Sequence, residues 1–200
     1  MGRIRLSELR PRGRLVGICG APGAGKSTFA AAVATAYAGV VVPMDGFHLA
    51  DIELERRGLL DRKGAPETFD AEGYAALLAR VHARPGHVVL APSFDRSIEQ
   101  PLAGAVAVPP EADLVVTEGN YLLLDEPRWR AVRAELDEVW HVHVAESVRV
   151  ERLVARHVRF GKAPDEARDW VARVDQPNAE LVEAAAERAD LVLDLTDWMP

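Results

Sequence analysis

The sequence predicts an α/β fold, a five-stranded, mainly parallel sheet flanked by helices, with a short helical lid. Three observations carry that expectation. Short apolar runs alternate with segments whose apolar residues recur at helical spacing, the order that builds a parallel sheet. A glycine-rich octapeptide, Gly20-Ala21-Pro22-Gly23-Ala24-Gly25-Lys26-Ser27, lies between the first apolar run and the first helical pattern. No internal repeat, low-complexity tract or long linker divides the 200 residues, a length that suits one domain. That domain is expected to span residues 1–200, with the lid over about 149–166.

The elements follow in order. Arg14 to Cys19 reads as a short buried strand before the glycine loop. Thr28 to Tyr37 reads as a helix, with Phe29, Val33 and Tyr37 four residues apart on one face. Val40 to Met44 is a second strand, followed by a loop from Asp45 to roughly Phe69. Asp70 can cap a helix to about Ala83, with Tyr74, Leu77, Leu78 and Val81 at helical spacing. Val88 to Ala91 is expected as a third strand, Pro92 to Pro101 as a polar loop, and Ala105 to Val108 as a short strand pairing back. Leu114 to Thr117, Val139 to Val144 and Leu191 to Leu193 complete the strands. Ser147 to about Phe160 is the clearest helix, with Val150, Leu153, Val154 and His157 on one face and Arg149, Arg152, Arg156 and Arg159 on the other. Further helices are expected after Pro164 and Pro177.

The octapeptide fits G-x-x-x-x-G-K-[ST] at every fixed position. Glycines let the backbone turn tightly enough for successive N–H groups to point at phosphate oxygens, beside a helix N-terminus that favours negative charge. In this pattern Lys26 reaches the β- and γ-phosphates and the Ser27 hydroxyl ligates Mg²⁺. The expected nucleoside triphosphate site is Gly20, Gly23, Ala24, Gly25, Lys26, Ser27 and Thr28. Ligands of open parallel sheets collect at the carboxyl ends of strands, where Asp45 and Glu118 fall; Asp95 lies just past the expected third strand. Phosphoryl transfer needs a metal and a carboxylate that orients the attacking hydroxyl, and Asp45 and Glu118 can divide those roles.

Composition narrows the partners. A net charge of −7 argues against a broad nucleic-acid-binding face. Lys26, Lys63 and Lys162 are the only lysines, with arginine supplying the remaining positive charge. Cys19 is the only cysteine, which excludes an internal disulfide and a cysteine-only metal site. No run of 18 apolar residues is present to span a membrane. The arginines from Arg3 to Arg14 and the apolar stretch after them look superficially like a leader, but the phosphate loop occupies that stretch, so a cytoplasmic protein is expected.

The arginine face of the helix from Ser147 precedes Gly161-Lys162-Ala163-Pro164, a hinge-like break. A charged helix face is usually solvated, while a phosphotransferase needs mobile cations that close over the reacting phosphoryl group; Arg152 and Arg156 are candidates. His48 is a candidate substrate contact. His141 and His143 alternate along a strand like a metal pair, yet no third ligand is evident nearby.

With these strings assembled, the chain resembles the P-loop kinases that include uridine kinase, phosphoribulokinase and bacterial pantothenate kinase. The likeness rests on Gly20 to Ser27, Asp45-Gly46-Phe47-His48, Glu118-Gly119 and the arginine-rich helix. Arg62 to Asp70, Phe94-Asp95-Arg96 and Glu118 to Leu124 resemble a nucleoside/nucleotide kinase-like branch that includes kinases associated with fructose transport. The resemblance implies a P-loop NTPase fold, ATP and Mg²⁺ as cofactors, Asp45 as catalytic base and Glu118 as a Mg²⁺-associated carboxylate. It also implies Arg152 and Arg156 as lid cations, Asp95 and Arg96 as acceptor contacts, and Asn178 in a segment against the adenine. Uridine kinases carry Ser and Tyr around the Phe where this chain has Gly46 and His48.

The expected activity is ATP-dependent phosphorylation of a small hydroxylated metabolite (a nucleoside, a sugar or a pantothenate-like alcohol) bound among Asp45, Phe47, His48, Asp95, Arg96 and Tyr121. A homodimer is compatible with the resemblance, although no residue demands one. The alternative is a nucleotide-hydrolysing switch or regulatory protein without an acceptor. A guanine-reading Asn-Lys-x-Asp is absent, and the two Asp-x-x-Gly matches, at Asp61 and Asp70, do not follow strands.

Overall fold

The computed structural model describes residues 6–199. Arg3 and Arg5 of the leader-like stretch lie outside the described residues. In chain order the strands are β1 (Leu15–Cys19), β2 (Val40–Pro43), β3 (Val89–Asp95), β4 (Gln100–Val108), β5 (Val115–Gly119), β6 (Glu138–His143) and β7 (Leu191–Asp194). The helices are α1 (Lys26–Ala36), α2 (Asp51–Arg57), α3 (Ala71–His82), α4 (Pro127–Ala134), α5 (Glu146–Arg159), α6 (Pro164–Trp170) and α7 (Gln176–Ala184).

Five strands form one parallel sheet in the order β2-β5-β1-β6-β7. Helices cover both faces, which is why all five residues of β1 are buried and apolar or glycine. Alternation along β1 divides the core. Leu15 and Cys19 face a cluster with Tyr74 and Leu78 of α3, Trp129 of α4 and Val182 of α7. Val16 and Ile18 face the other side, against Phe29 and Val33 of α1. Fully burying a side chain of this size stabilises by about 1.5–3 kcal/mol relative to exposure. The same alternation turns Thr117 of β5 toward α3, where its hydroxyl pairs with Tyr74, and the adjacent Glu118 toward α1, where it meets Ser27.

The structure corrects several expectations. The third strand is not part of the parallel sheet: β3 pairs antiparallel with β4 as a separate hairpin. Its register shifts between Ala91 and Ser93, around Pro92, which has no N–H to give a ladder. The hairpin consumes most of the loop expected from Pro92 to Pro101. The segment expected as one long loop after β2 carries α2 and short 3₁₀ turns at Met44–Phe47, Leu60–Arg62 and Pro66–Thr68. α4 is a helix the periodicity did not reveal. The helices expected after Pro164 and Pro177 run into one another through a π-turn at Val171–Asp175, where the Gln176 N–H bonds Val171 O five residues back. Pro177 lacks an N–H and its ring excludes the carbonyl four residues earlier, so the wider turn accommodates it.

The carboxyl ends of β1, β2 and β5 lie side by side, with Glu118 in register with Ile18 and Pro43. Everything described next is built on that edge.

Candidate active site

From Cys19 the chain turns through Gly20–Gly25 into α1. Gly25 is the helix N-cap at φ 88°, a left-handed conformation open to glycine, and no side chain caps the helix. Gly23, Gly25, Lys26, Ser27 and Thr28 line a cavity of about 200 Å³. Gly20 and Ala24 are buried in the body of the loop, Gly20 directly against the backbone of Val142. Lys26 is buried, with Nζ donating to Ala21 O at 3.2 Å. Burial pulls the Lys26 pKa down, opposed by the carboxylates of Glu118 and Asp45.

Those two carboxylates sit in contrasting surroundings. Ser27 Oγ donates to Glu118 Oε1 at 3.0 Å. Burial, and then the charge of Asp45, push the Glu118 carboxyl above the usual range, against the pull of Lys26. Asp45 stands in the 3₁₀ turn after β2. Burial raises its pKa, but the charges of His48, Arg96, Lys26 and Arg156 outweigh burial and hold it below the usual range. The Arg96 guanidinium donates to Asp45 Oδ2 at 2.9 Å, and His48 Nδ1 lies 2.8 Å from Asp45 O. Burial lowers the His48 pKa, with Asp45 opposing.

Two local features fix this turn. A Cβ on Gly46 would lie 2.6 Å from the C and O atoms of Pro92, so only glycine lets β3 pass this closely. Leu49 N donates to Thr68 O and Asp70 N to Phe47 O, both at 2.9 Å, tying the Asp45 to His48 stretch to the segment that caps α3.

A second cavity, of about 330 Å³, opens over Asp45, His48, Arg96 and Glu118. Its opposite wall comes from the end of α5, the turn after it and the helix beyond, including Arg156, His157, Trp170, Asp175 and Asn178. The two cavities share Lys26, Ser27 and Arg156 as a common boundary, while Arg152 lines only the smaller. The side chains of Arg152 and Arg156 form no hydrogen bond or ion pair with a described residue. His157 Nε2 donates to Asp175 Oδ2 at 2.8 Å. Sequence reasoning reached this wall at Arg156 and Asn178 but not at His157, Trp170 and Asp175; the scarcity of lysine was a further signal, since all three lysines line this cavity.

Three expected acceptor contacts do not line it. The Asp95 carboxylate accepts from Ser97 N at 2.8 Å and Ser97 Oγ at 2.6 Å, on the outer end of the hairpin. Phe47 packs on Tyr74 in the core, with ring centroids 4.7 Å apart. Tyr121 is buried against Phe69 and Trp129, and its hydroxyl donates to Gly64 O. Arg149 also departs from the solvated face: it is buried, with its backbone against Gly23 and a nitrogen on Gln176. His141 and His143 both reach Glu183 Oε2 at 3.3 Å, and no group of three potential His, Cys, Asp or Glu metal ligands exists among the described residues. No helix among those residues is long and apolar enough to cross a membrane.

The strand order, the glycine loop opening into α1 and the carboxylates beside it define a P-loop fold. A crystal structure from Silicibacter sp. TM1040, described as a candidate fructose transport system kinase, superposes with a TM-score of 0.81 at 43% identity, covering 94% of both chains. A Schizosaccharomyces pombe protein described as a candidate uridine kinase is 33% identical over 192 residues, spanning 90% of this chain and 82% of its own. Escherichia coli K12 YggC is 33% identical over 206 residues, 96% of this chain and 82% of its own. No family model matches the chain. The chain belongs to the P-loop kinase family of these relatives, and it is a kinase.

Proposed function

We propose that the protein transfers the γ-phosphoryl group of ATP to a hydroxyl of a small metabolite, with Mg²⁺, and that Asp45 is the base. One observation carries the reading: Asp45 stands on the acceptor cavity while Lys26 and Ser27 stand on the boundary that this cavity shares with the phosphate loop. An acceptor hydroxyl beside Asp45 would meet a γ-phosphate beside Lys26 across that boundary.

Mg²⁺ fits the Ser27–Glu118 pair. Two hard oxygens 3.0 Å apart match the edge of an octahedron with bonds of 2.0–2.1 Å, about 3 Å long, and a buried carboxylate next to a second one calls for a counter-charge. When bound, the ion neutralises charge on the β- and γ-phosphates. Lys26 and the amides from Gly23 to Thr28 hold the triphosphate; Asn178, expected against the adenine, lines the 330 Å³ cavity across from Asp45. The acceptor oxygen attacks the γ-phosphorus, the bridging P–O bond breaks to release ADP, and the acceptor proton passes to Asp45. Residues about 149–166 form a lid of the single domain, and Arg152 and Arg156, which make no hydrogen bond or ion pair among the described residues, close on the transferring group. His48 and Arg96 contact the acceptor.

The test is ADP release from Mg·ATP with nucleosides, ketoses, aldoses and pantothenate, including uridine and fructose because relatives are named for them. Acceptor-dependent ADP release with stoichiometric phosphorylated product supports the reading. Slow hydrolysis indifferent to every acceptor opposes it.

A further inference from the structure

Resting on that phosphotransfer reading, the geometry points to an acceptor that carries its own anionic group, a carboxylate or a phosphomonoester, bound away from the reacting hydroxyl by Lys63 and Lys162. The chain has three lysines, and all of them line the 330 Å³ cavity. Lys26 belongs to the phosphate loop; the other two have no part in phosphoryl transfer as described above.

Charge supports this reading. Five side chains of the lining are cationic and four anionic, in a chain of net charge −7. Asp45 and Glu118 serve the base and the metal, and Lys26 and Arg156 face the phosphoryl group, which leaves Lys63, Arg96 and Lys162 against Glu99 and Asp175 on the rest of the lining. Both lysines retain donors. Lys63 Nζ gives two hydrogen bonds, to Asp51 Oδ1 and Glu99 O at 2.6 Å each, and an ammonium has three to give. Lys162 has only Glu166, at 3.7 Å and with 62% of that side chain exposed, a weakly held pair.

The aromatic walls argue against a flat, neutral base as the acceptor. Lys162 stands over the Trp170 ring at 4.5 Å, and Lys63 and Arg96 over Phe94 at 5.6 and 5.8 Å. His48 packs on Phe69 and Phe94 at 4.0 and 4.8 Å. The rings hold cations in place, where a nucleobase would need an open face to stack on. A hydroxylated acid or a sugar phosphate matches such a lining; a nucleoside does not.

The experiment is calorimetric titration of the full chain, loaded with Mg²⁺ and a non-hydrolysable ATP analogue. The probes are matched pairs that differ in the anion: glycerate and glycerol, gluconate and glucitol, ribose 5-phosphate and ribose, uridine 5′-monophosphate and uridine. At least one anionic member should bind ten- to a hundredfold tighter than its neutral partner, the usual worth of a charge-assisted contact. Whether the carboxylate or the phosphate pairs respond identifies the anion. Lys63→Met and Lys162→Met should each lower that preference about tenfold or more, Lys162→Arg should keep most of it, and affinity for the nucleotide analogue should not change. Absence of a tenfold preference in every pair, or its survival in both methionine variants, would overturn the proposal. Binding is read apart from transfer. Anion preference without ADP release from Mg·ATP would remove the phosphotransfer reading and leave the anion site, whereas transfer to a neutral polyol or nucleoside at full rate would do the reverse.

Discussion

The Arg96 guanidinium holds Asp45 Oδ2 at 2.9 Å, so the proposed base is engaged by a cation before any acceptor arrives. The pair is half-open to solvent and adds little to stability; its consequence is chemical. Arg96 is one of the charges that keep Asp45 ionised, and an incoming acceptor must share or displace it. Arg96→Met is expected to raise the Asp45 pKa and to increase the acceptor KM more than the KM for ATP, measured by steady-state kinetics with each substrate varied. Equal increases in both would contradict this assignment.

The opposite shifts of the two carboxylates predict the acid side of the pH profile. Asp45 lies below the usual carboxylate range and stays ionised above it, so it does not limit activity at mildly acidic pH. Glu118 lies above that range, and its protonated form competes with a metal. Activity should therefore fall as pH drops through the Glu118 pKa, and higher Mg²⁺ should move that fall to lower pH. The measurement is kcat/KM for ATP against pH at two Mg²⁺ concentrations; an acid limb insensitive to Mg²⁺ would assign it elsewhere.

Arg156→Met should reduce kcat by about 10³- to 10⁵-fold, the usual worth of an arginine that stabilises a transferring phosphoryl group, with a much smaller change in nucleotide affinity. Arg159, three residues on and exposed, supplies the control: Arg159→Met should retain the wild-type rate.

Gly46→Ala tests the close passage of the hairpin. The added methyl meets backbone atoms of Pro92 at 2.6 Å, and backbone cannot swing away as a side chain can. Overpacking of this kind costs about 1–3 kcal/mol, so Tm should fall by about 2–12 °C. Because the same turn carries Asp45, turnover should fall beyond what lost protein explains.

Cys19 provides an independent check on the core. Burial pushes its thiol up to about 12, with Lys26 opposing. The native protein should resist iodoacetamide at pH 8 and react promptly once unfolded. Rapid alkylation of the folded protein would mean that β1 is not sealed.

Most of the site's nucleotide side was legible because its signals are local. The glycine loop specifies its own backbone, and apolar runs locate the strand ends that carry Asp45 and Glu118. The acceptor side was half legible: Asp45, His48 and Arg96 line the cavity as expected, while Asp95, Phe47 and Tyr121 do not, because their placement depends on pairings distant in sequence. Asp95 and Arg96 are neighbours, yet one bonds Ser97 outside while the other reaches Asp45 inside. Asp95 ends β3 and Arg96 opens the turn to β4, so the turn's backbone rather than strand alternation sends the two side chains apart. Phe47 and Tyr121 sit in the right strings but turn into the core. On the far wall, the π-turn adds one residue before Gln176, a rotation of about 100°, and so governs which side chains of the helix face the cavity.

The central claim is that Asp45 takes the acceptor proton while Lys26 and the glycine loop hold the nucleotide. The direct measurement is acceptor-dependent ADP formation from Mg·ATP by the wild type and by Asp45→Asn, with nucleotide affinity measured on both. The account predicts unchanged nucleotide affinity and loss of acceptor-dependent turnover in Asp45→Asn. Wild-type turnover by that variant would contradict it.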